Sequence, residues 1–74
     1  MSKEYFVLIK EVEGNDVYVS KNDPDSVVPD LREALLFFSL NHIEVWRKCN
    51  PNVTDTIATK VSVVGDYINV TKVE

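Results

Sequence analysis

The sequence predicts a small α+β domain, a two-layer sandwich with an antiparallel sheet on one side and helix on the other. Three observations carry this. Two β-rich segments at about 4–20 and 57–73 each contain a glycine-bearing turn. Between them, at about 30–49, lies an apolar block with helix-start and helix-stop signals. The chain has 74 residues, the size of one small domain, 1–74.

The first strand is Tyr5-Phe6-Val7-Leu8-Ile9. Both of its alternating faces are apolar, the pattern of an inner strand rather than an exposed edge. Lys10-Glu11-Val12-Glu13 continues it into solvent, and Glu13-Gly14-Asn15-Asp16 supplies a turn tolerant of positive φ. Val17-Tyr18-Val19 returns as the second strand of a hairpin. Ser20 to Pro29 reads as loop, with turn chemistry at Asn22-Asp23-Pro24-Asp25 and an extended Val28 before Pro29. Asp30 is a good N-cap, and Glu33 sits where a capping-box acid sits. The helical block ends by Asn50-Pro51-Asn52. Ala58–Val64 and Tyr67–Val73, joined by Gly65-Asp66, form a second hairpin, giving about four strands in the order ββαββ.

On a continuous helix over 31–49, one broad stripe holds Leu31, Ala34, Leu35, Phe38, Val45, Trp46 and Cys49, with His42 inside it. A second stripe, Leu36, Leu40 and Ile43, lies well around the helix, and Phe37 falls on a third side. Two arrangements follow. A break near Ser39–Asn41, where Asn41 and Glu44 form a second capping signal, turns both stripes into one core. An unbroken helix leaves Leu36, Leu40 and Ile43 facing a partner, as exposed apolar patches do. A second copy of the chain, in a two-fold homodimer, is the simplest partner, and another protein is the other.

Composition narrows the function classes. Eight Lys+Arg against twelve Asp+Glu give a net charge of −4. That balance argues against broad contact with a phosphate backbone, so no direct nucleic-acid binding is expected. The apolar runs are too short to span a bilayer, and no secretory leader is read at the start. With the single cysteine, Cys49, these point to a cytoplasmic protein without an internal disulfide. A domain this small buries only about 60% of its unfolded surface, which favours self-association.

No motif points to catalysis, a cofactor or a metal. His42 is the only histidine, and Cys49 lies two turns away, too far for a nucleophile pair. One Cys and one His do not make an ordinary zinc site. The acidic loop Asp23, Asp25 and Asp30 lacks EF-hand spacing and reads as a solvated turn with a helix cap. The sequons at Asn52 and Asn69 are chance matches without a secretory route. Tyr5, Phe6, Tyr18 and Tyr67 lack the basic neighbours of a base-stacking platform.

The order strand, turn, strand, polar loop, aspartate-led helical turn resembles small uncharacterised accessory proteins of bacteriophages and mobile elements. The likeness rests on Asp30, Ala34 and Phe37. The chain departs from it in two extra apolar residues around Phe37 and in a full second hairpin. The resemblance implies a small accessory or host-directed binding protein, with no catalytic residue to carry over. The leading expectation is thus a non-catalytic protein-binding or regulatory protein, self-associated through the helix stripe. The alternative is an acidic nucleic-acid mimic that inhibits a DNA- or RNA-binding protein through Glu11, Glu13, Asp16, Asp23, Asp25 and Asp30.

Overall fold

A computed structural model describes residues 2–23 and 25–74. Pro24, part of the expected turn at 22–25, lies outside the described residues, as does Met1. The chain forms β1 (Ser2–Val12), β2 (Asn15–Val19), β3 (Val27–Val28), a 3-10 turn (Leu31–Glu33), α1 (Leu40–Cys49), β4 (Ile57–Val64) and β5 (Tyr67–Lys72). The strands make one five-stranded sheet, ordered β3-β2-β1-β4-β5, with every neighbouring pair antiparallel. The α+β class and both hairpins are as the sequence indicates; the segment Ser20–Pro29, expected to be all loop, contains the short strand β3, which pairs with β2.

β1 is the inner strand its two apolar faces imply. It shares Ser2–Ile9 with β4 and Ile9–Val12 with β2, so its halves serve different neighbours. Both hairpin turns are two residues long. Glu13 (φ 53°) and Gly14 (φ 82°) are both left-handed, the signature of a type I′ turn. At the second turn only Gly65 (φ 59°) is left-handed, with Asp66 following, as in type II′.

Residues opposite one another share a face of the sheet. Leu8, Val19 and Ala58 are buried on one face, with Phe6 beside them. Phe37, Ile43, Leu35 and Trp46 cover this face. Val7, Ile9 and Val61 are buried on the other, packed with Tyr5, Tyr18, Leu31, Ala34 and Val63. Apolar burial on both faces, at roughly 1.5–3 kcal/mol per large side chain, explains why β1 alternates nothing polar between Tyr5 and Ile9.

The block 31–49 is not one helix. Asp30 does act as a cap, its carboxylate accepting from the Arg32 N–H at 2.9 Å, but it opens a single 3-10 turn. The chain then extends, because main-chain partners from the sheet take up its hydrogen bonds. Leu35 N–H donates to Val19 C=O at 2.9 Å, and Phe37 and Phe6 exchange both bonds at 2.8 Å. β2 stops short of that part of β1, and Phe37 fills the vacant edge. α1 begins only at Leu40. Its N-cap is Ser39, whose hydroxyl accepts from His42 N–H, rather than Asn41. It ends at Cys49, with the Asn50 amide donating to Trp46 C=O at 2.9 Å just before Pro51.

Candidate functional site: an exposed apolar turn

The proposed stripe Leu36-Leu40-Ile43 does not exist as one surface. Ile43 is buried in the core against Phe37, because the late helix start rotates it onto the sheet. Leu36 and Leu40 remain exposed, but on different elements. Leu36 belongs to the extended segment, where alternation turns it away from the buried Phe37. Leu40 opens α1. Two residues of the other stripe also change role. Phe38 and Val45 are exposed rather than packed on the sheet, and Phe37, assigned to no stripe, is 1% exposed.

The connection between sheet and helix therefore carries the largest apolar exposure near the expected site. Phe38 is 83% exposed. Its ring lies stacked on His42, centroids 6.2 Å apart with planes 12° from parallel. His42 also meets the buried Phe37 edge-on at 5.2 Å. Hence the imidazole sits between one core aromatic and one surface aromatic. Sequence reading placed His42 on an apolar stripe; the structure puts it at the rim of the core, exposed. Phe38 was the residue missed. An extended backbone at 35–37 alternates Leu35 in, Leu36 out, Phe37 in, and a helical wheel hides that period.

The foot of α1 is anchored. Arg47 forms a bidentate pair with Glu74 at 2.7 and 2.6 Å and also donates to Thr56 Oγ1 and C=O at 3.2 and 3.0 Å. The Glu74 carboxylate further accepts from Ala58 N–H at 2.7 Å. These bonds, the Arg47 guanidinium first, hold the Glu74 carboxyl down at about 2. The C-terminal end of α1, Thr56, β4 and Glu74 are thereby tied together.

The six acidic residues are not one field. Glu11 and Asp16 are cross-strand partners, and Lys72 from β5 bridges them at 3.0 and 3.3 Å. Asp23 is spent on its own loop, accepting from Asp25 N–H at 3.0 Å and the Ser26 hydroxyl at 2.9 Å. Asp30 is paired with Arg32, whose guanidinium holds the carboxyl below its usual range. Glu13 sits in the β1–β2 turn, and Asp25 is exposed beside Asp23.

Among the described residues no pocket opens, no group of three or more His, Cys, Asp or Glu gathers that could hold a metal ion, and no helix is long and apolar enough to cross a membrane. Cys49 is free and exposed at the end of α1. Compared with known proteins, the chain matches no protein-family model, no curated protein and no solved structure.

Proposed function

We propose that this chain is a non-catalytic protein-binding or regulatory protein, cytoplasmic, that docks another protein on the turn bearing Leu36, Phe38 and Leu40. The observation that carries this is the exposure of Phe38. A phenylalanine left in water forgoes roughly 1.5–3 kcal/mol of burial, and large exposed apolar groups concentrate at interfaces. Aromatic anchors held by a rigid frame are the usual energetic centres of such contacts. Here the frame is Ser39 capping α1 and Arg47 clamping its far end. In this reading α1 and the Phe37 segment form the second layer of a two-layer sandwich, and the turn is its projecting corner. An accessory role of the kind found in small phage and mobile-element proteins belongs to this reading.

The test is a photo-reactive amino acid in place of Phe38, expressed in the native host. A single protein crosslinked there, and lost in Leu40→Asp, supports the docking turn. Crosslinks that are indiscriminate, or unchanged by Leu40→Asp, refute it. The acidic-mimic alternative has less support, because three of its six carboxylates are already in ion pairs, Glu11 and Asp16 sharing Lys72 and Asp30 held by Arg32. Salt separates the two readings: an apolar contact persists as ionic strength rises, whereas mimicry of a phosphate backbone weakens steeply.

A further inference from the structure

The two edges of the sheet are built differently. β3 is two residues long and is followed at once by Pro29, a short and blocked edge. β5 is six residues long, has no proline, and among the described residues has no strand on its outer side. Register fixes which of its backbone groups are free. Tyr67 pairs with Val64 across the two-residue turn, and Val73 N–H donates to Ala58 C=O at 3.0 Å. Odd-numbered residues therefore turn their N–H and C=O inward to β4, and even-numbered ones turn theirs outward. Ile68, Val70 and Lys72 present that free row, and Ile68 and Val70 are exposed apolar side chains on the same face.

We propose that β5 is a strand-pairing edge occupied by a second copy of this chain, antiparallel about a two-fold axis at Asn69. It involves none of the residues of the docking turn. A free row of donors and acceptors is satisfied by an extended strand. The sequence of β5 chooses among the two-fold registers. An axis at Ile68 sets Asp66 against Val70, and an axis at Val70 sets Lys72 against Ile68. The axis at Asn69 sets Ile68 against Val70 and Asp66 against Lys72, apolar on apolar and acid on base. Lys72 keeps a third N–H beyond those facing Glu11 and Asp16, and its side chain is 37% exposed. The Ile68–Val70 pairs exchange both their N–H···O bonds, and Asn69 faces Asn69 at a close, non-hydrogen-bonded position with Cα atoms about 4.5 Å apart.

The experiment combines sedimentation velocity over a concentration series, amide exchange and cysteine crosslinking. Wild type dimerises, and the amides of Ile68 and Val70 gain protection as concentration rises. Val70→Pro removes only an outward N–H, a place an edge strand tolerates, and weakens dimerisation by at least about tenfold. In a Cys49→Ser background, Asn69→Cys oxidises readily to a disulfide-linked dimer while Thr71→Cys does not, since only position 69 meets itself within disulfide range. A chain monomeric throughout overturns the proposal. So does a dimer lost in Phe38→Ala but kept in Val70→Pro. If Val70→Pro does not fold, wild-type exchange and the Asn69→Cys crosslink decide alone; unprotected amides or equal crosslinking at 69 and 71 overturn it.

Discussion

Phe37 and Phe38 are chemically identical neighbours with opposite energetics. Phe37 is enclosed by Leu8, Val19, Ile43 and Ala58 and meets Trp46 edge-on at 5.7 Å. Phe37→Ala should cost about 3–5 kcal/mol, the range for emptying a buried aromatic site. Phe38→Ala should stay within about 0.5 kcal/mol. Urea unfolding followed by Trp46 fluorescence measures both; comparable losses would mean that the surface ring is part of the core. Glu74 gives a pH signature. Its folded pKa, about 2, lies below the ordinary 4.5, so its contribution is complete above pH 4.5 and fades as pH falls from there toward 2. Because the pair is partly exposed, the contribution is under about 1 kcal/mol. Wild type should melt higher than Glu74→Gln at neutral pH, with the gap closing through that acid window. A gap that does not change with pH would show that the clamp acts through packing rather than charge.

At the scale of the element, α1 depends on its cap. A ten-residue helix is marginal in isolation, and Ser39 satisfies one of its free N–H groups. Ser39→Ala should lower stability by about 1 kcal/mol, and Asn41→Ala by clearly less. Thermal melts of the two variants side by side check this; a larger loss in Asn41→Ala than in Ser39→Ala would place the cap at Asn41. The helix-start signal at Asp30 is real but local. It closes a 3-10 turn, after which pairing with Val19 and Phe6 outcompetes helical hydrogen bonds that a residue such as Leu35 or Phe37 would otherwise make. No nearest-neighbour rule contains that competition, because the competing groups are supplied by strands 16 to 31 residues earlier in the chain.

Across the whole molecule, Lys72 joins the last strand to the first hairpin. Glu11 and Asp16 stand opposite each other, a repulsive cross-strand pair, and Lys72 reaches both from β5. Lys72→Met should destabilise the fold slightly at neutral pH and low salt. The loss should shrink at high ionic strength, where the bare carboxylates are screened. Chemical denaturation at two salt concentrations tests it; a salt-independent loss would assign the effect to the lysine's methylene stem. The same scale sets the asymmetry of the edges, short and proline-blocked at β3 and open at β5, from which the two-fold pairing is inferred.

By itself the sequence determined what depends on neighbours along the chain. The apolar run Tyr5–Ile9 favours an inner strand, Gly14 and Gly65 permit left-handed turns, and Pro51 disfavours helix at Asn50. Both hairpins and the end of α1 follow from those. Within the block 31–46 the sequence offers a break near Ser39–Asn41, where α1 does begin, but tertiary structure decided the conformation of residues 34–38 before it. Leucine and phenylalanine suit strand and helix alike, so their conformation was settled by which partner offered hydrogen bonds. β1 had an unfilled edge beside Phe6, and Phe37 took it. That pairing, with the bonds of Glu33 and Leu35 to Lys21 and Val19, holds the chain extended after Glu33, so that α1 starts at Leu40, Ile43 is buried and Phe38 is left in solvent.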